Sequence, residues 1–129
     1  MTAAGKKSVL VMDDASLVRA YYRQALERAG YHVDEAMNGV EGLEKLLMHP
    51  FDVVIVDVNM PQMDGVTFLS TMRSKDLPIS GIPALVTSTE AGEQDVAAAR
   101  QAGANYYLVK PISQATLANY IDLLAGVAR

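Results

Sequence analysis

Val53-Val54-Ile55-Val56-Asp57-Val58-Asn59-Met60-Pro61-Gln62-Met63-Asp64-Gly65 opens with four β-branched residues and no polar alternation. That is how a strand buried on both faces reads, as in a parallel sheet covered by helices. The run sets one carboxylate, Asp57, at its carboxyl end. Pro61 and the Asp64-Gly65 pair mark a turn before a helical pattern begins. In an open α/β sheet, ligands bind in the crevice beyond the carboxyl ends of the strands. Asp57 is therefore the first candidate for chemistry.

On the amino-terminal side, Ser8 to Met12 reads as a buried strand ending in Asp13-Asp14. From Ser16 the period becomes helical, with Leu17, Val18, Tyr21, Ala25 and Ala29 as the apolar stripe and Gly30 as the stop. Tyr31 to Ala36 is a second strand. Asn38 and Glu41 form a capping-box pattern for a helix with Leu43, Leu46 and Leu47 on its apolar face, ended by Pro50. Beyond the central stretch, Val66, Phe68, Leu69 and Met72 define a third helix, and Leu77 to Gly81 reads as a loop. Ile82 to Thr87 is a fourth strand, and a polar loop from Ser88 to Gly92 precedes an alanine-rich helix ending near Gly103. Asn105 to Val109 is the fifth strand, with Tyr106 expected in the core and Tyr107 on the opposite face. Ser113 caps a last helix with Leu117, Tyr120, Ile121 and Leu124 on one face.

Five strand–helix units in strict alternation predict an α/β fold, a five-stranded parallel sheet with helices on both faces. The 129 residues suit one domain, expected over 8–129, behind a polar and disordered tail over 1–7. Half the residues are hydrophobic, enough for a sizeable core, and the net charge of −4 argues against nucleic acid or an anionic membrane as partner. The chain has no cysteine, which excludes disulfides and thiolate metal sites. It shows no signal-peptide pattern and no apolar run of membrane-spanning length, so a cytoplasmic protein is expected.

Chemistry collects at the strand ends. Asp13 and Asp14 follow the first strand, Asp57 ends the third, Thr87 and Ser88 the fourth, and Lys110 follows the fifth. In a parallel sheet these share one edge. Three carboxylates so close require a cation among them or a bound proton. An all-oxygen set with room for water suits Mg²⁺, and neither His32 nor His49 falls on this edge, which argues against zinc. A carboxylate can act as nucleophile and carry a phosphoryl group as an acyl phosphate. Lys110 would neutralise charge on that group, and the Thr87 hydroxyl could donate to one of its oxygens.

The combination resembles the response-regulator receiver domains of the chemotaxis CheY-like kind. It comprises an acidic pair after the first strand, Asp-x-x-Met-Pro-x-Met-Asp-Gly at the third and a threonine ending the fourth. Lys-Pro, with an aromatic three residues before the lysine, closes the fifth. The likeness covers the folded chain from Ser8 to about Val127. It implies the flavodoxin-like (βα)5 fold with strand order 2-1-3-4-5 and a cis bond between Lys110 and Pro111. It further implies that Asp57 accepts a phosphoryl group from a histidine kinase. Asp14 and Asp57 would hold Mg²⁺ directly, Asp13 through water, with the Asn59 main-chain carbonyl completing the set. Lys110 would pair with the phosphoryl group, Thr87 would move to bond it, and Tyr107 would change rotamer as the switch.

The resemblance implies a monomeric phosphoacceptor switch that assists its own phosphorylation and dephosphorylation. Its output would be binding to a flagellar motor switch protein. A relay intermediate or phosphate sink, exchanging phosphate with a histidine phosphotransfer protein, would use the same site. A Mg²⁺-dependent phosphatase with an aspartate nucleophile is the distant alternative. Such enzymes of the haloacid-dehalogenase kind place a second aspartate two positions on as general acid, where this chain has Asn59. Met12, Met60 and Met63 read as packing residues, and Asp64-Gly65 as a cap and turn whose glycine allows an unusual backbone angle.

Overall fold

A computed structural model of the chain describes residues 5–128. The first residues of the tail expected over 1–7 lie outside the described residues, as does Arg129. The elements follow as β1 (Ser8–Met12), α1 (Ser16–Arg28), β2 (His32–Ala36), α2 (Gly39–Met48) and β3 (Val53–Asp57). They continue as α3 (Gly65–Arg73), β4 (Ala84–Ser88), α4 (Glu93–Ala102), β5 (Tyr106–Val109) and α5 (Gln114–Ala125). The stretch expected as a loop over 77–81 carries a short 3-10 turn, Ile79–Gly81. All pairings are parallel, in the order β2-β1-β3-β4-β5.

That order makes the chain step outward from β1 to β2, then return past β1 to β3, and the reversal divides the helices between two faces. Strand alternation writes the division into the sequence. Leu10, Met12, Val54, Val56, Ala84 and Val86 pack on one face with Phe68, Leu69 and Met72 of α3 and Ala99 of α4. Val9, Val11, Val53, Ile55 and Leu85 pack on the other with Tyr22 and Leu26 of α1 and Leu117 and Ile121 of α5. Every residue of β3 is buried, as its unbroken β-branched run requires. The caps follow local chemistry: the side chains of Asn38, Asp64 and Ser113 accept from the amides of Glu41, Thr67 and Thr116. Gly103 ends α4 in the left-handed region, φ 112°.

Three expectations need correction. In α1 the buried residues are Tyr22, Ala25 and Leu26, whereas Leu17 is 84% exposed and Tyr21 42%. The helix carries two overlapping apolar stripes offset by one residue, and the core takes the one holding Val18, Tyr22 and Leu26. In α2, Leu46 is buried but Leu47 is exposed. Tyr106 is 41% exposed rather than in the core. Alternation does place it opposite Tyr107, but β5 is the sheet's edge, where the edge-on ring of Tyr120, with centroids 5.0 Å apart, packs against it.

Candidate functional site

The site is assembled by parity. Val9 and Val11 face α1 and α5, so Asp13 points the same way. Val53 and Ile55 carry Asp57 to that side, Leu85 carries Thr87, and Leu108 carries Lys110. Neighbouring backbones hold these positions level: Asp57 is registered opposite Thr87, the Val58 amide donates to the Thr87 carbonyl at 3.0 Å, and the Lys110 amide donates to the Ser88 carbonyl at 2.7 Å. Asp13 is held by its own amide on the Ala36 carbonyl, 3.2 Å, and its Oδ1 accepts from the Ala15 amide, 2.9 Å.

One oxygen each of Asp13, Asp14 and Asp57 lies within 4.8 Å of the others. Asp13 and Asp57 are buried and Asp14 is exposed. The Lys110 ammonium bridges the two buried acids, Nζ lying 2.8 Å from Asp13 Oδ2 and 3.1 Å from Asp57 Oδ1. Burial pushes the Asp57 carboxyl above its ordinary range, and the charge of Asp13 adds to this, against the pull of Lys110. Burial also works against the charge on Lys110, but Asp13 and Asp57 outweigh it, and the lysine is held more firmly protonated than usual.

One ammonium facing three carboxylates is an incomplete balance. Thr87 carries the same message in another form: it is fully buried and its Oγ1 has no hydrogen-bond partner among the described residues. A buried hydroxyl left so costs about 1–3 kcal/mol, and such exceptions mark places where a partner arrives from outside. The donor set is all oxygen and fits a hard divalent cation such as Mg²⁺. His32 and His49 are exposed and border a separate cavity beside Ser8, Asp34 and Phe51, away from the acids.

Asn59 sits exposed in the loop beyond β3. Gly65 is structural, as expected, but for a different reason: its φ is not positive, and the one positive φ in this loop belongs to Gln62, at 67°. A β-carbon at Gly65 would instead collide with the carbonyl oxygen of Asp57, so α3 can start here only without a side chain. Met12 and Met60 are buried and Met63 packs against the same core. The bond between Lys110 and Pro111 is cis. Tyr107 faces the α4 side, and its hydroxyl donates to the Glu90 carbonyl at 2.7 Å. Ser88 is buried and accepts from the Glu90 amide at 3.0 Å.

The sequence reading passed over Tyr22. Its ring is buried under α1 and borders an apolar cavity of about 570 Å³, shared with Val18, Thr89, Lys110, Pro111 and others. No periodicity distinguishes it from Tyr21, and only the packed fold shows which of the two turns inward.

The comparisons with known proteins agree with this geometry. The response regulator receiver domain family matches residues 9–122. The chemotaxis protein CheY1 of Helicobacter pylori is 38% identical over 120 residues, 92% of this chain and 96% of that protein. The chemotaxis protein CheY-3 of Vibrio cholerae is 36% identical over 115 residues, 88% of either chain. The solved structure of Vibrio cholerae chemotaxis protein CheY4 superposes with a TM-score of 0.86 at 33% identity, over 93% of this chain and 99% of that one. The family match takes in the acidic cluster together with Thr87 and Lys110, and the chain belongs to the response-regulator receiver domains.

Proposed function

We propose that Asp57 accepts a phosphoryl group from the phosphohistidine of a histidine kinase and that the modified chain switches protein–protein binding. The observation that carries this reading is the convergence on Asp57 of an ammonium and a buried, unpartnered hydroxyl. A carboxylate oxygen of Asp57 would attack phosphorus. The P–N bond would break, and the imidazole nitrogen would keep the electron pair and take up a proton. Lys110, released from its bridge, would pair with the phosphoryl oxygens, and Thr87 would donate its hydroxyl to one of them. Asp13, Asp14, Asp57 and the Asn59 carbonyl are the groups that would hold Mg²⁺, which would supply the positive charge the cluster lacks. Tyr107 would leave the Glu90 carbonyl when the β4–α4 loop closes on the site.

The names of the relatives favour chemotaxis; the donor would then be a chemotaxis histidine kinase and the target a flagellar motor switch protein. Among the described residues no helix is long and apolar enough to cross a membrane, which accords with a cytoplasmic switch. Incubation with Mg²⁺ and a small acyl phosphate should add one phosphoryl group by mass spectrometry, and Asp57→Ala should abolish it. Labelling that survives the substitution would refute the assignment. Capture with the beryllofluoride-treated protein separates the outputs: a motor switch protein supports chemotaxis, whereas a histidine phosphotransfer protein points to a relay.

A further inference from the structure

Tyr22 is a buried phenol, 3% exposed, in the core that α1 and α5 form on one face of the sheet. It shares a cavity wall with Lys110 and Thr89. Burial raises its proton affinity, Lys110 and Thr87 lower it, and Asp13 and Asp57 raise it again, so the phenol senses the pocket's charged groups and the Thr87 hydroxyl. Tyr22 and Leu85 pack in the same core, strand parity carries Thr87 to that face, and the Thr87 hydroxyl acts on the phenol; among the described residues no bond of hydrogen-bonding geometry reaches Thr87 Oγ1.

A threonine hydroxyl has one proton and two lone pairs. If Thr87 spends its proton on a phosphoryl oxygen, its oxygen is left inside an apolar wall with both lone pairs bare, unless a donor reaches it. Among the groups facing Thr87, the acids are acceptors, and Lys110, bridging Asp13 and Asp57 in the unmodified chain, would be taken up by the phosphoryl oxygens. A neutral phenol supplies what is missing.

We infer that Tyr22 is a positioning residue for the switch, its hydroxyl donating to Thr87 Oγ1 when Thr87 turns to donate to the phosphoryl group on Asp57. The inference rests on the proposed phosphoacceptor role of Asp57 and adds a second hydroxyl behind Thr87. A chain of two such bonds orients the threonine proton and strengthens the outer bond. Tyr22 touches neither phosphorus nor metal, so its whole effect must pass through the Thr87 oxygen.

A thermodynamic cycle tests this with beryllofluoride and Mg²⁺ as the probe, its affinity read from amide chemical shifts in a titration. Binding by the wild-type chain, and its loss in Asp57→Ala, tests the phosphoacceptor reading separately. Given that binding, Tyr22→Phe, which keeps the ring, should weaken it about fivefold, the worth of one neutral hydrogen bond. In a Thr87→Val background, where no oxygen is left to receive the bond, the same change should have no effect. In a Thr87→Ser background the fivefold loss should persist. An unchanged affinity in Tyr22→Phe alone, or an equal loss with and without the Thr87 hydroxyl, would overturn the inference. Thermal unfolding of each variant guards against a general loss of packing, which would weaken binding in every background alike and count as the second of these outcomes.

Discussion

Gly65 has no β-carbon because the carbonyl oxygen of Asp57 occupies its place. The contact joins the first residue of α3 to the last residue of β3, and the Gly65 amide donates back to the Val58 carbonyl at 2.9 Å. The loop between them is thus drawn tight under the carboxylate it presents. Alanine is ordinarily the better helix residue by about 1 kcal/mol. Here Gly65→Ala should instead destabilise the chain by about 1–3 kcal/mol, since the obstacle is backbone and cannot turn aside. Urea unfolding at neutral pH measures this, and a gain in stability would show that the loop has slack.

Removing the carboxylate of Asp57 should have the opposite sign. The residue is buried beside Asp13 and Asp14, and burial and Asp13 raise its proton affinity in the fold. A folded-state pKa above the unfolded value means that ionisation opposes folding. The penalty is absent below the unfolded pKa of about 3.9 and grows as pH rises through the folded value. Without divalent cation at pH 7, Asp57→Asn should therefore be more stable than the wild type, by about 1 kcal/mol, as replacements of strained functional groups often are. The gap should close at acid pH. Adding Mg²⁺ should stabilise the wild type, by about 2.7 kcal/mol at one hundred times its dissociation constant, and Asp57→Asn markedly less. Paired thermal unfolding curves with and without Mg²⁺ decide it.

Much of this was legible in the sequence because the relevant signals are local and periodic. The β-branched run of β3, the caps at Asn38, Asp64 and Ser113, and the acids and lysine at strand ends each need only a few adjacent residues. Parity then sends Asp13, Asp57, Thr87 and Lys110 to one side once the strands are parallel. What was not legible depends on which surfaces meet. Tyr21 and Tyr22 are equivalent until α5 packs on α1, and Tyr106 reads as core until β5 proves to be an edge. The steric duty of Gly65 requires Asp57 to be folded back over it.

On the rim of the sheet, Glu35 of β2 accepts from two arginines of α1, Arg19 Nε at 2.9 Å and Arg23 Nε at 2.6 Å. Burial tends to raise the Glu35 pKa, but Arg23 and Arg19 outweigh it and hold the carboxyl below its ordinary value. A depressed folded-state pKa contributes stability that is present above the unfolded value, about 4.3, and is lost as pH falls through the folded one. Glu35→Gln should cost about 1 kcal/mol at pH 7, the upper end for a partly exposed pair. Urea midpoints of the two proteins should converge as the pH is lowered to about 3. A difference that persists there would mean that Glu35 acts through packing and not through its charge.

Arg73 at the end of α3 binds three backbone carbonyls and, from Nη2 at 3.2 Å, the side-chain oxygen of Asn105. Its guanidinium donates to the Gly103 carbonyl from Nε at 3.1 Å and Nη2 at 2.7 Å, and from Nη1 to the carbonyls of Ser80 at 2.9 Å and Ile82 at 2.6 Å. No carboxylate among the described residues pairs with it, and burial lowers its proton affinity. It ties the 3-10 turn before β4 to the left-handed turn after α4, where a β-carbon on Gly103 would run into the Arg73 side chain. Those carbonyls come from separate turns, so no spacing in the sequence announces them. Only a planar fork of five donors can serve all three carbonyls at once, and an ammonium cannot reproduce that geometry. Arg73→Lys should therefore cost about 1–3 kcal/mol although the charge is kept, because carbonyls in a partly buried corner lose their donors. The loss should appear in urea unfolding, and hydrogen exchange should quicken at the amides of Ile82 and Ala104, which close the turns that Arg73 spans. Equal stability of Arg73→Lys and the wild type would show that the charge, and not the fork, holds this corner.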